Sequence, residues 1–306
     1  MTTEPSLCEL APGVHAWVQP DGTWWINNAG AVHAGGDVVL VDTCATRRRT
    51  RLFLDAVRDA TDCAPIRSAV NTHLHGDHVY GNALLPDSTA IVAHELTRQG
   101  ILADFLLADT PPLWSPTPDW GVDAVRPPTV TFRDELTLHA GDKPVIVRHP
   151  GHPAHTAGDA VAWLPQDRVL FAGDLVFNRV TPLIVMGSAE GALRSLDWLR
   201  AFRPEHVVPG HGPLVTGAEF DAVLDTHARY YRFVLATAEA GMERGLTPLQ
   251  AAREADLGEF ADLPDAERLV LNLHRAYADA AGRELDVVAA FGDAVAYHGG
   301  PLACAV

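Results

Sequence analysis

Short apolar runs broken by turn residues fill the first two-thirds of the chain. This texture predicts strands over Val14–Val18, Trp24–Ala34 and Val38–Val41, divided by Pro-Asp-Gly and Gly-Gly turns. Thr46 to Ala60 reads as a helix, with Leu52, Ala56 and Val57 on its apolar stripe. Further strands are expected at Ile66–Val70, Ala90–Ala93, Leu136–His139, Val145–Val147, Ala160–Leu164 and Val169–Ala172. A helix over 189–202 and a short strand at His206–Val208 follow. From about residue 217 the pattern changes: Ala, Leu, Glu and Arg dominate and strand signals vanish. Thr247-Pro248-Leu249-Gln250 is a helix start with a Thr cap, Pro first and Gln third. Pro264 opens another helix, with Leu269, Leu273, Tyr277 and Ala280 on one face. The fold class expected is α/β: a domain over residues 1–216 and a helical extension over 217–306 packed on it.

Composition narrows the function. Among 306 residues, 23 Lys+Arg stand against 39 Asp+Glu, a formal charge of −16. That balance argues against nucleic acid as a partner, because phosphate contacts need a basic surface. It also disfavours an anionic membrane. No run approaches the roughly 18 to 20 apolar residues of a membrane span. The opening MTTEPSLCEL lacks a basic stretch followed by an apolar one, so it does not read as a secretory signal. Cys8, Cys44, Cys63 and Cys304 form no CxxC, which fits a reducing compartment such as the cytoplasm. Between Thr110 and Pro128 lie six prolines with Trp114 and Trp120. This stretch is neither helix nor central strand; a surface loop and a lid over a site both remain open.

The chemistry concentrates in residues 71–82, Asn-Thr-His-Leu-His-Gly-Asp-His-Val-Tyr-Gly-Asn. His73 and His75 are two apart at a strand end and are expected to share a face. Gly76 is expected to turn the backbone sharply, bringing Asp77 and His78 back. Nitrogen and oxygen donors at this density suit borderline metals, zinc above all. The segment resembles the metal-binding motif of the metallo-β-lactamase superfamily. Pro153-Ala154-His155-Thr156, Phe171-Ala172-Gly173-Asp174 and Pro209-Gly210-His211-Gly212 are similar to that family's remaining motifs, in order. The resemblance covers about 13–215 and implies an αββα four-layer sandwich with two divalent metal ions between its sheets. It places one ion on His73, His75 and His155, the second on Asp77, His78 and His211, and Asp174 as the bridge. His152 competes with His155, but Thr156 and the Gly158-Asp159 turn follow His155 as the family pattern expects. Asp77 is the expected catalytic residue, orienting a nucleophile and shuttling a proton. Asp42 resembles the carboxylate that orients a ligand histidine, with a turn cap as the alternative. Cys44 reads as a small buried hydrophobe.

Among branches of the superfamily, true β-lactamases are exported and usually carry cysteine where Asp174 stands, and the oxygen reductases carry glutamate in place of His75. What remains is hydrolysis, or another carbonyl reaction. Trp120-Gly121, the run from Arg126 to Asp134, the loop 174–187, and Leu246-Thr-Pro-Leu-Gln-Ala-Ala-Arg through Leu273-His274-Arg275 resemble second-ring cyclases of aromatic polyketide pathways. That group is also similar to thioesterases. The resemblance implies aldol-type closure of a second ring on an acyl-carrier-protein-bound polyketide or small-molecule substrate, with or without thioester cleavage. The alternative is a general hydrolase of thioesters or lactones. Trp24, Trp25, Trp114, Trp120 and Phe177 are candidates to line an aromatic pocket. Arg47, Arg48, Arg49 and Arg51 form the dense basic cluster and offer a docking face for an acidic carrier, or else a solvated helix face. The sequence leaves the subunit count open, a homo-oligomer included.

Overall fold

The computed structural model describes residues 4–306; residues 1–3, the start of the expected 1–216 unit, lie outside the described residues. Two sheets stack face to face. The first runs β1 (Ser6–Ala11), β2 (Val14–Val18), β3 (Ala29–Ala34), β4 (Asp37–Val41), β5 (Ile66–Val70), β6 (Ala90–His94) and β7 (Val130–Phe132), in that spatial order. Its first four strands form an antiparallel meander, and β4 to β7 pair in parallel. The second sheet holds β8 (Glu135–Ala140), β9 (Lys143–Arg148), β10 (Val161–Leu164), β11 (Val169–Phe177) and β12 (His206–His211), edged by the short strand Val215–Thr216. Its strands pair antiparallel, except that β11 and β12 run parallel.

Alternation along each strand decides what each layer touches. Val32, Val39 and Val41 point inward and meet Val145, Val147, Ala162 and Phe171 of the second sheet. Their neighbours Ala31, Val38 and Leu40 point outward onto Phe53 and Val57 of α1 (Arg47–Ala60). Short helices α2 (Gly76–Val79) and α3 (Glu95–Leu102) follow β5 and β6. On the far side, Val161, Leu170, Ala172 and Val207 face Leu196 and Leu199 of α4 (Ala189–Arg200) and Phe220 and Leu224 of α5 (Gly217–Glu243). The order of layers is helix, sheet, sheet, helix. Each buried Leu or Phe in these seams contributes about 1.5–3 kcal/mol.

Beyond α5, the extension adds α6 (Pro248–Glu254), α7 (Arg268–Ala280) and α8 (Val287–His298). The cap at Thr247 forms as its sequence implies: Gln250 N donates to Thr247 Oγ1, and Thr247 N to Gln250 Oε1. No helix among the described residues is long and apolar enough to cross a membrane.

Several expectations need correction. The run Trp24–Ala34 is a strand only from Ala29. Trp25 takes a left-handed φ of 67°, and Asn28 bonds across to Pro209 and Gly212, so the tryptophans leave the sheet. The strand expected to end at Ala172 continues to Phe177, placing Asp174 within β11. Pro264 opens no helix: Asp265 sits at φ 59°, and α7 starts at Arg268. Leu269, Leu273 and Tyr277 are buried on α7, whereas Ala280 is exposed. The edge strand β1 escaped the reading because none of its side chains is fully buried and no two-residue alternation marks it. The proline-rich segment is tied down, Trp114–Ser115 pairing in parallel with Leu302–Ala303 near the carboxyl end.

Candidate metal centre

The centre lies where strand ends of both sheets meet. Asp42, just past β4, adopts φ 61°. Its carboxylate accepts from Thr72 N at 2.7 Å and Thr72 Oγ1 at 2.8 Å, and lies 2.8 Å from His78 Nδ1. This clamp shapes the loop after β5, where His73 and His75 lie past the strand's last residue, Val70. Asp77 and His78 ride on α2. Gly76 acts through close approach, not a sharp turn: a Cβ there would meet Tyr80 Cζ at 2.3 Å. His155 comes from the loop before β10, Asp174 from β11 and His211 from the end of β12.

The structure brings all seven side chains together. His73, His75, His155 and Asp174 form one group able to hold a metal ion, and Asp77, His78 and His211 a second, each with ligand atoms within 4.8 Å of one another. Asp174 faces both. Its Oδ2 lies 3.3 Å from His155 Nε2 and 3.4 Å from His211 Nε2, and its Oδ1 lies 3.1 Å from His78 Nε2. Asp77 Oδ2 is 3.1 Å from His211 Nε2.

Acceptors on the outside set the tautomers. His78 Nδ1 donates to Asp42, His155 Nδ1 to Leu183 O at 2.5 Å, and His211 Nδ1 to Gly22 O at 2.9 Å. The Thr72 hydroxyl gives its proton to Asp42, so His73 Nδ1 donates to Thr72 Oγ1 at 3.0 Å. These four rings therefore aim Nε2 inward. His75 is reversed: its Nε2 faces Met186 Sδ at 3.4 Å and its Nδ1 points inward, 2.9 Å from His155 Nε2. Outer acceptors of this kind orient metal-binding imidazoles.

Charge is divided across the cluster. Burial drives His73 well below the ordinary histidine value, helped by His78 and opposed by Asp174. Burial also lowers His75, and takes His155 to about 3. For His211 burial is overcome by Asp174 and Asp77, which raise it to about 9. His78 is raised likewise: burial works against its charge, and Asp174, Asp77 and Asp42 outweigh it. Burial opposes ionisation of Asp77, yet His78 and His211 hold it at about 2. Asp174 is held well below the carboxylate range in the same way, by His211, His78 and His73 against burial.

A cation fits this arrangement. His73 Nε2, His78 Nε2 and Asp174 Oδ1 are buried without a hydrogen-bond partner. His78 Nε2 and Asp174 Oδ1 approach to 3.1 Å without bonding. Stranded polar atoms cost about 1–3 kcal/mol each. Ions placed between them would remove that cost. Room for the Asp174 carboxylate depends on Gly210, where a Cβ would meet Asp174 Oδ1 at 1.8 Å.

Other candidates lie apart. His152 is half-buried outside the cluster, its Nδ1 beside Pro153 O. His149 and His94 stack at 4.2 Å, and His94 caps α3. Cys44 is buried among apolar side chains, and burial lifts its thiol to about 11. Of the arginine cluster, Arg49 is buried on Gln19 and the Asn27 carbonyl, and Arg47 bonds the Gly121 carbonyl, leaving Arg48 and Arg51 exposed.

A cavity of about 340 Å³ opens on the cluster, touching His75, Asp77, Asp174 and His211. Trp24, Trp25, Trp114 and Phe177 line it, with Phe291 from α8. Trp120 does not: it packs behind, edge-on to Trp25 at 4.5 Å, with its Nε1 donating to Thr110 Oγ1. Asp159 was legible only as part of the turn after His155, and Arg268 had no signal at all. Asp159 accepts from Thr156 N and Oγ1 and fixes the His155 loop. Arg268 enters the cavity wall from α7.

These features converge on one class. The chain belongs to the metallo-beta-lactamase superfamily, whose sequence profile matches residues 22–211. It is 26% identical over 230 residues to the 2,4-dinitroanisole O-demethylase subunit alpha of Nocardioides sp. (strain JS1661), covering 72% of this chain and 62% of that protein. It is 32% identical over 136 residues to the hydroxyacylglutathione hydrolase of Methylococcus capsulatus, covering 44% of each. The stereoselective inverting sec-alkylsulfatase of Pseudomonas sp. shares the fold at a TM-score of 0.70 and 19% identity, over 93% of this chain and 51% of that one. The chain thus spans less than two-thirds of the length of these curated relatives.

Proposed function

We propose that the protein is a metal-dependent cyclase/thioesterase acting on a flat, apolar acyl chain. In this reading it closes the second ring of a carrier-bound aromatic polyketide by an aldol-type step, with or without thioester cleavage. The observation that carries the reading is the aromatic-walled cavity opening on the His/Asp cluster. Its volume sits at the lower end of the roughly 300–1,000 Å³ usual for small-molecule sites. The ring-closing step itself rests on the cyclase resemblance of residues 120–134, 174–187 and 246–275.

His73, His75 and His155 would hold one divalent ion and Asp77, His78 and His211 a second, with Asp174 between; the imidazole and carboxylate donors favour zinc. Such ions supply Lewis acidity at a carbonyl oxygen and acidify water. The protein's own groups do the rest. Trp24, Trp25, Trp114 and Phe177 hold a flat ring system and exclude water. In an aldol closure a proton leaves the α-carbon and the new alkoxide gains one. Asp77, ionised and lining the cavity, is placed to carry that proton.

A second reading, a general thioester hydrolase, is favoured by the 32% identity to hydroxyacylglutathione hydrolase. One experiment separates them. Metal-loaded protein is incubated with a carrier-bound polyketide whose first ring is closed, and with acyl-glutathione, while mass spectrometry follows product and a thiol reagent follows release. A cyclised product, lost with chelator, supports the proposal. Turnover of acyl-glutathione alone shifts the assignment to the hydrolase, and no reaction with either overturns both.

A further inference from the structure

Arg268 is the one Arg or Lys among the residues lining the cavity, and it is only 2% exposed. Such burial is rare for arginine unless every donor is matched. Here the matching is incomplete. Nη1 donates to Thr181 O at 2.9 Å, and Nη2 lies 2.8 Å from Asp265 Oδ2. Nε is buried with no partner. The guanidinium lies 4.6 Å from the Trp24 ring centre and 5.7 Å from that of Phe177. Phe177 in turn stacks on His211, with planes 8° apart and centres 5.4 Å apart. One aromatic ring therefore separates the arginine from the His/Asp cluster. Trp24 is itself fixed, its Nε1 donating to Glu267 at 2.6 Å. A planar cation held against an aromatic face, with a buried N–H left unused beside an aromatic-walled cavity, suits a conjugated oxygen anion. Arg268 thus lines the cavity while one of its buried donors stays unfilled, which a purely structural pairing with Thr181 and Asp265 leaves unexplained.

We propose that Arg268 is a specificity-determining residue, receiving on its free N–H edge an ionised phenol or enolised 1,3-diketone oxygen of the substrate. This rests on the reading of the site as one for aromatic acyl thioesters, and narrows it to acyl groups carrying an acidic oxygen about a ring away from the reacting carbonyl.

The test uses metal-loaded protein and two non-hydrolysable ligands, a hydroxynaphthyl acyl amide and its methyl ether. Calorimetry gives affinities, and absorbance gives the ionisation of the bound hydroxyl. The wild type should prefer the hydroxy compound by about 10- to 100-fold, as a charge-assisted hydrogen bond provides, and should shift its ionisation to lower pH. Arg268→Gln should lose preference and shift together while binding the methyl ether within about threefold. Arg268→Lys should restore part of both, keeping the charge without the planar fork. Equal weakening of both ligands in Arg268→Gln, with the preference intact, overturns the assignment. So does a wild type that does not distinguish the pair, a result needing no variant to fold. If the preference holds but the matching thioesters are not turned over, the thioester reading fails and the role of Arg268 stands.

Discussion

Replacing Asp42 by Asn tests the site's organisation without touching a member of the His/Asp cluster itself. The carboxylate makes three bonds, from Thr72 N, Thr72 Oγ1 and His78 Nδ1. An amide can keep the first through its oxygen, but its NH₂ then faces the other two. His78 Nδ1 must now accept, so its proton moves to Nε2, the atom aimed at Asp174 Oδ1. Thr72, denied its acceptor, turns its hydroxyl proton toward His73 Nδ1, and His73 flips tautomer as well. One ligand is spoiled in each of the two groups. Loss of an outer partner costs about 10- to 100-fold in metal affinity, or about 1.4–2.7 kcal/mol, and here the loss should fall on both ions. The assay is competition with a chromophoric chelator on wild type and Asp42→Asn. Thermal unfolding of the metal-free proteins accompanies it, separating ligand damage from general instability. Wild-type affinity for both ions would refute the reasoning. Weakening confined to the site of Asp77, His78 and His211 would refute the Thr72 relay alone.

Gly210→Ala should push Asp174 Oδ1 out of place, since the added Cβ meets it at 1.8 Å; metal stoichiometry by elemental analysis should fall below the wild-type value, and an unchanged value would contradict the crowding. Trp24→Ala should destabilise by about 3–5 kcal/mol through the cavity it leaves and should raise KM more than it lowers kcat, read by denaturant unfolding and steady-state kinetics. His227 donates to Val223 O and accepts from Phe177 N, and burial lowers it from 6.5 to about 4. The unfolded chain therefore binds the extra proton first. The stability this group contributes is complete above pH 6.5 and is lost as pH falls toward 4, about 3 kcal/mol in all at 1.36 kcal/mol per unit. His227→Gln should flatten that part of the stability profile of the metal-loaded protein, and an unaltered slope between pH 6.5 and 4 would count against the assignment.

What could be read from the sequence divides along a physical line. The cluster was legible in two ways. His73 to His78 lie within one loop and one helical turn, where spacing brings donors together. His155, Asp174 and His211, far apart in the chain, were reached only through the resemblance of their short motifs to those of the superfamily. The two-sheet core was legible because its strands, buried on both faces between a helix layer and the facing sheet, read as short continuous apolar runs bounded by turn residues. Trp24 to Asn28 misled because an apolar run looks the same whether it enters a sheet or leaves it to wall a cavity; Trp25's left-handed backbone and the bonds of Asn28 decide, and those bonds reach residues some 180 positions away. Trp120 misled for the same reason, being buried behind the wall it was expected to form. Arg268 was invisible. At the first position of an amphipathic helix a charged residue ordinarily faces water, and only the convergence of Thr181, Asp265, Trp24 and Phe177 buries this one. The His/Asp cluster is therefore held by the ends and loops of the two sheets, whereas part of the cavity wall comes through tertiary contacts from the helical extension. α7 supplies the cation of the cavity wall, and α8 supplies Val287, Val288 and Phe291. A fold shared by proteins of different activity changes substrate most readily through such additions. Here the extension can be altered at Arg268 or Phe291 while the ligands of the cluster remain untouched.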